Sequence, residues 1–305
     1  MVHVQGVLFF PVTPFDSGGR IDAGVLRELV ATRLHAGGGE IGAIFAACGT
    51  GEFHALDAAE VGLVTSNAVE LAGDVPVVAG AGGPLAHARA CARGAAAAGA
   101  SALLVMPPYL VEFETAGLMR YIECVAISSA LPVIVYHRSP ALFDLAAVRA
   151  LLGIDAVIGV KDGVGDLAFM TEVLDARNRS GRSEFNVLNG LPFAEVRDPD
   201  YRQAGIPVYS SSTFVMAPSV ALSYRRATEG GDEPRRRLLL DEVFRPLDEI
   251  RRRRPGYNVA LVKAGVTLSG FPVGSVRPPL GDVSTRDLDD LARILAHGAH
   301  LVDDG

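Results

Sequence analysis

The chain has 305 residues, 49% of them hydrophobic and 21% charged, with no tryptophan and a formal net charge of -7. That balance argues against a nucleic-acid partner, and no stretch of about 18 uncharged apolar residues free of Gly and Pro breaks points to a membrane span. The length suits one large α/β domain or two smaller ones. Cys48, Cys91 and Cys124 are odd in number and widely spaced without a metal-ligand pattern, and the chain starts without a charged and then apolar leader, so a cytoplasmic protein with reduced thiols is expected.

In chain order, residues 6–10 are apolar and close on Pro11-Val-Thr-Pro14, a first strand and its loop. Residues 22–35 carry apolar side chains at helical spacing, with Asp22 as N-cap and Gly37 as stop. A second strand over 41–47 runs into Cys48-Gly49-Thr50-Gly51-Glu52, before a helix that starts near Asp57. A third strand over 75–79 ends in a Gly80–Gly83 turn and is followed by an alanine-rich helix to Gly99. The fourth, 102–106, ends at Pro107-Pro108-Tyr109, with a helix over 115–128. The fifth, 132–135, ends at Tyr136-His137-Arg138, with a helix over 143–152. The sixth ends at Lys161, with a helix over 167–177. The seventh, 185–188, ends at Asn189-Gly190, and the eighth, 207–209, ends at Ser210-Ser211-Ser212.

Eight strand-like runs at intervals of roughly thirty residues, separated mostly by helical ones, are the rhythm of a parallel sheet. An α/β fold is expected, a (β/α)₈ TIM barrel with a C-terminal helical extension, in preference to an open doubly wound sheet. The boundaries are residues 1–225 for the barrel and catalytic domain and 226–305 for the helical region, where 238–250 and 287–295 have helical spacing. The basic runs Arg235–Arg237 and Arg251–Arg254 read as solvated or interface helix faces.

Residues 156–165 form an apolar strand that runs straight into Lys161 and then a Gly/Asp turn. Lysine occurs only at 161 and 263 although the chain holds 28 basic residues. A chain that otherwise uses arginine and still places an amine on a buried strand is using a group that can lose its proton. Burial favours the neutral amine, the form that attacks ketones to make a Schiff base. The competing reading is a lysine paired structurally with Asp162 or Asp166. Lys263, in a helical stretch, reads as a structural or interface residue.

Thr13, Thr50, Tyr109, Tyr136, Lys161, Asn189 and Ser210–Ser212 all fall at or beyond the carboxyl ends of predicted strands, the face on which barrel enzymes build their sites. An imine mechanism on a keto acid needs three kinds of help there. Gly49, Thr50 and Gly51 offer amides and a hydroxyl to a carboxylate. Tyr136 offers a hydroxyl for proton relay. Arg138, Asn189, Ser210 and Ser211 offer polar partners to remote hydroxyls or a second carboxylate. The histidines at 3, 35, 54, 87, 137, 297 and 300 are dispersed, so no metal site is read. The Gly80–Gly83 turn is a weak phosphate candidate.

On these residues the chain resembles the dihydrodipicolinate synthase and N-acetylneuraminate lyase superfamily along essentially its whole length. The matching features are Gly-Thr-Gly-Glu at 49–52, Pro107-Pro108-Tyr109, Tyr136 and Gly-Val-Lys-Asp at 159–162. Within it, the chain is most similar to the 5-dehydro-4-deoxyglucarate dehydratases, on Lys-Asp-Gly-Val-Gly-Asp at 161–166, Asn-Gly-Leu-Pro-Phe-Ala-Glu at 189–195, Tyr-Ser-Ser at 209–211 and Val-Arg-Pro-Pro-Leu at 276–280. The resemblance implies a decarboxylating hydro-lyase of sugar-acid catabolism that turns 5-dehydro-4-deoxy-D-glucarate into 2,5-dioxopentanoate, water and carbon dioxide. It implies a Schiff base on Lys161, proton relay by Tyr136, carboxylate recognition by the Thr50 loop and no external cofactor. The implied partner is a small keto sugar acid, and the implied assembly is a homodimer or homotetramer in which Tyr109 reaches a neighbouring site. Two departures are Cys48, where relatives carry a small residue, and His137-Arg138-Ser139, where they carry an asparagine. A class I aldolase acting on a 2-keto-3-deoxy sugar acid with pyruvate, and a non-catalytic sugar-acid binding protein, are the alternatives.

Overall fold

A computed structural model describes residues 4–303; His3 lies outside them. Eight parallel strands, β1 (Val7–Phe9), β2 (Ile41–Ala46), β3 (Val77–Ala81), β4 (Ala102–Val105), β5 (Val133–His137), β6 (Val157–Asp162), β7 (Asn186–Asn189) and β8 (Ser210–Ser211), lie in the order β7-β6-β5-β4-β3-β2-β1-β8. The ring closes through a parallel bridge between Asn189 and Tyr209, where the Asn189 N–H donates to the Val208 carbonyl at 2.9 Å. Closure leaves no strand edge to template aggregation. The strands are covered on both faces and their residues are almost all buried, hence the continuous Val/Ile/Leu/Ala runs instead of a polar alternation.

Around them run α1 (Ala23–Gly37), α2 (Ala58–Ala72), α3 (Leu85–Ala97), α4 (Thr115–Ile127), α5 (Leu145–Leu152), α6 (Leu167–Ser180) and α7 (Asp198–Gln203). Four helices start on an aspartate whose carboxylate accepts from a first-turn amide: Asp22, Asp57, Asp144 and Asp166. Each such cap contributes about 1 kcal/mol. It also fixes where the preceding loop ends, which positions the site.

Three elements depart from the expectation. Helix α7 lies in the stretch after the seventh strand, where only a connection was expected, because six residues opened by Asp198-Pro199 are too short to show helical periodicity. The eighth strand is Ser210–Ser211, not 207–209; it pairs with Leu8 and Phe9 of β1, and Pro207 has no amide to give the ladder. Ser212 then opens α8 (Ser212–Met216).

The remaining chain is helical: α9 (Pro218–Gly230), α10 (Glu233–Leu239) continued through a π turn at Leu240–Phe244 into α11 (Arg245–Arg252), α12 (Tyr257–Leu268) and α13 (Thr285–Asp303). Helix α9 crosses the 225/226 boundary, and one apolar core takes in Phe9, Tyr224, Phe244, Val262 and Leu291 together. We propose that 226–305 is an extension of the barrel domain and does not fold apart from it. Among the described residues, no helix is long and apolar enough to cross a membrane.

Candidate active site

Side chains of a strand alternate between its two faces, and this decides which of the expected residues meet. In register, Tyr136 lies beside Lys161 and Lys161 beside Leu188, so these three share the barrel interior. The Lys161 Nζ donates to the carbonyl of Gly190 at 3.0 Å and lies 4.1 Å from the centre of the Tyr136 ring and 5.2 Å from that of Phe10. The residue is 4% exposed and has no ion pair among the described residues. Asp162, next in the chain, faces the other way. Its carboxylate accepts from the Tyr201 hydroxyl of α7 and from the amides of Val164 and Gly165. The structural ion pair is therefore not formed, and the amine is held by one neutral carbonyl and two aromatic faces.

Tyr136 donates its hydroxyl to the same Gly190 carbonyl at 3.3 Å, and Arg138 donates from Nη1 to that hydroxyl at 3.1 Å. Burial pushes the phenol up, but the charges of Lys161 and Arg138 outweigh it and hold the phenol below the usual tyrosine value. A phenol so placed gives up its proton more readily than an ordinary tyrosine and sits beside the amine. Arg138 is itself exposed, so its guanidinium joins the buried pair to solvent at the barrel mouth.

The loop after β2 is bracketed by two non-glycine residues with left-handed backbone, Ala47 at φ 50° and Glu52 at φ 59°. Between them, Gly49 is exposed and Thr50 half-buried. The Thr50 hydroxyl and the amides of Gly49, Thr50 and Gly51 make no hydrogen bond among the described residues, which leaves a concave set of donors. Thr13 braces the loop by donating to the Gly51 carbonyl at 2.6 Å. Gly80 and Gly82 have a packing task in place of a phosphate: a Cβ at 80 would lie 2.2 Å from the Ala47 carbonyl oxygen, and one at 82 would lie 2.4 Å from Met106.

Other expected residues are placed differently. Asn189 faces away from Lys161; its Nδ2 donates to the Ala194 carbonyl at 3.2 Å and its Oδ1 accepts from the Leu191 amide at 3.2 Å. It braces the loop that presents Gly190, in place of binding substrate. Ser211 likewise faces the helix layer, donating to Glu195 Oε1 at 2.5 Å and capping α8 through the Phe214 amide. Ser210 shares the face of Leu8 and keeps the interior position. Tyr109 is 61% exposed at the tip of its loop. Cys48 is buried and packs beside the site; burial pushes its thiol well up despite the nearby Lys161 charge. His137 is buried between Phe143 and Phe169, accepts from the Phe143 amide through Nδ1 at 3.0 Å, and is shifted down by burial. Of the two departures, His137 is packing and Arg138 belongs to the site.

Four participants were not expected from sequence. Gly190 supplies the carbonyl that both Lys161 and Tyr136 use. Glu52, Lys263 and Arg277 form a polar group behind the Thr50 loop, Lys263 donating to Glu52 Oε1 at 2.9 Å. Burial pulls the Lys263 ammonium down although Glu52 opposes it. The one signal for them is the scarcity of lysine. At the opposite end of the barrel, a cavity of about 480 Å³ is lined by Arg177, Arg202 and Arg225 among others; it stands at the amino ends of the strands, away from the amine.

Fold and site together define a closed (β/α)₈ barrel that presents a buried lysine and a tyrosine hydroxyl at the carboxyl ends of adjacent strands. The chain belongs to the dihydrodipicolinate synthetase family, whose profile matches residues 3–298. It is 46% identical over 301 residues to a probable 5-dehydro-4-deoxyglucarate dehydratase of Streptomyces griseus, covering 98% of this chain and 93% of that one. It is 40% identical over 299 residues to a protein of the same name from Azotobacter vinelandii, covering 95% and 94%. Its fold matches the crystal structure of dihydrodipicolinate synthase from Bacillus clausii with a TM-score of 0.86 at 24% identity, over 97% and 98% of the two chains.

Proposed function

We propose that this chain is a decarboxylating hydro-lyase that converts 5-dehydro-4-deoxy-D-glucarate to 2,5-dioxopentanoate, water and carbon dioxide through an imine on Lys161. One observation carries the reading: the only lysine on the barrel interior has no carboxylate partner and touches the hydroxyl-bearing ring of Tyr136. The names of the relatives at 40–46% identity supply the substrate.

The amine of Lys161 adds to the ketone, and the carbinolamine loses water with Tyr136 relaying the proton. The iminium acidifies the adjacent methylene, so a proton leaves and the β-hydroxyl departs as water, giving a conjugated imine. That extended sink accepts the electron pair released when the distal carboxylate leaves as carbon dioxide. The resulting enol becomes an aldehyde, and hydrolysis frees the dioxo acid and the lysine. No cofactor enters, because the amine is the electron sink.

In this reading Gly49, Thr50 and Gly51 bind the carboxylate beside the ketone. Arg138 and Ser210 face the far end of the substrate. Tyr109 extends toward a neighbouring subunit of a cytoplasmic homodimer or homotetramer. Product analysis tests it: carbon dioxide and 2,5-dioxopentanoate are expected in equal amounts. Release of pyruvate in their place would overturn it and identify an aldolase.

A further inference from the structure

The donor loop at 49–51 has no helix or strand ladder to hold it, and it ends on Glu52, whose backbone is left-handed at φ 59°. A side chain in that region is held there by its surroundings. The surroundings come from the far end of the chain. Glu52 is fully buried and pairs with Lys263 Nζ of α12 at 2.9 Å, both side chains being at most 3% exposed. Its second oxygen, Oε2, accepts from the Arg277 amide at 2.7 Å. Lys263 also donates to the Ser275 carbonyl at 2.8 Å and lies 4.2 Å from the centre of the Phe15 ring.

Arg277 widens the clamp. Its guanidinium donates to the Ala55 carbonyl at 2.8 Å, to the Gly19 carbonyl at 2.7 Å and to Glu60 at 2.6 Å. The segment after α12 is thus fastened over the loops that follow β1 and β2, and every contact at Glu52 is charge-assisted and shielded from water. A lysine suits position 263 because a compact ammonium can reach a carboxylate oxygen and a carbonyl at once.

We propose that Lys263 is a positioning residue for the site: through Glu52 it holds the Gly49–Gly51 donors in the arrangement that receives the carboxylate of a 2-keto acid. The inference rests on the imine reading above and adds to it the part of the molecule that sets substrate affinity. Lys263 touches no reacting atom, so its loss weakens binding and leaves the amine chemistry in place.

The test uses pyruvate, the smallest 2-keto acid, and borohydride trapping on Lys161 followed over pyruvate concentration. Lys263→Met is expected to raise the half-saturating concentration about tenfold or more, while the trapping rate at saturation stays within about threefold of the parent. Because a single substitution strands a buried charge, Glu52→Gln/Lys263→Met is measured beside it; removing both members of a buried pair is far milder than removing one. The paired variant is expected to fold and to show the same rise. A folded variant whose half-saturation stays within about twofold of the parent overturns the proposal, as does a loss confined to the saturated rate. If the parent traps pyruvate and the variants match it, only this inference falls. If the parent forms no adduct at all, the imine reading falls and takes this inference with it.

Discussion

The amine of Lys161 and the bare α-carbon of Gly190 are fitted to each other. Nζ sits 3.0 Å from the Gly190 carbonyl oxygen, while a Cβ at 190 would lie 2.4 Å from Nζ and 2.4 Å from the Asp162 carbonyl oxygen. Glycine is required there by close approach. Gly190→Ala is expected to displace the lysine tail and slow imine trapping at least about tenfold, with an overpacking cost of roughly 1–3 kcal/mol in thermal or chemical unfolding. Trapping at the parent rate in a folded Gly190→Ala protein would show that the amine is not confined by that contact.

Tyr136→Phe keeps the ring that lies over the amine and removes only the hydroxyl shared by Gly190 and Arg138. A loss of about 10²-fold in turnover is expected, in the range for a positioned proton carrier, with little change in stability. The limb of the pH profile set by this phenol is expected below the ordinary tyrosine value, because Lys161 and Arg138 outweigh burial, and it should vanish in the variant. Steady-state rates across pH for both proteins check this.

The thiols provide an inexpensive test of packing. Cys48 and Cys91 are buried and pushed up by burial, Cys91 to about 12, whereas Cys124 is exposed on α4. The native protein should present one fast thiol to a disulfide reagent and three after unfolding. Rapid native reaction at Cys48 would mean that the site wall is open.

Glu195 predicts a pH dependence of stability. It is fully buried, accepts from Ser211, has Oε2 without a partner, and faces Asp198, Tyr209 and Tyr224; burial raises it from 4.5 to about 7. Between those two values the unfolded chain has released a proton that the folded chain keeps. Stability from this group is therefore present below the lower value and lost as pH rises to the upper one. Glu195→Gln removes that slope. Its stability relative to the parent should improve by about 2–3 kcal/mol between pH 5 and pH 8, while the raised Asp198 leaves a smaller slope of the same sign in both proteins. Unfolding curves that stay parallel across this range would contradict the placement of Glu195.

The barrel was legible because its signals are local: apolar runs, aspartate caps and loop glycines. Lys161 and Tyr136 were legible because each stands out chemically at a strand end. Asn189 and Ser211 were misplaced because being at a strand end does not say which face a side chain takes, and one residue of register turns it from the interior to the helix layer. The eighth strand slipped because Pro207 begins an apolar run without joining the ladder. Glu52 and Lys263 lie 211 residues apart, and no local pattern can pair residues at that distance. The Val-Arg-Pro-Pro-Leu motif marked Arg277 without saying what it holds.

The account stands or falls on the amine of Lys161. The most direct measurement is intact-protein mass spectrometry after borohydride treatment with 5-dehydro-4-deoxyglucarate and, separately, with pyruvate, followed by peptide mapping. The account predicts one adduct per chain, carried by Lys161 with either compound, and with the sugar acid a mass that shows water and carbon dioxide already gone. An unmodified Lys161 with both compounds, or an adduct on Lys263 in its place, would contradict it.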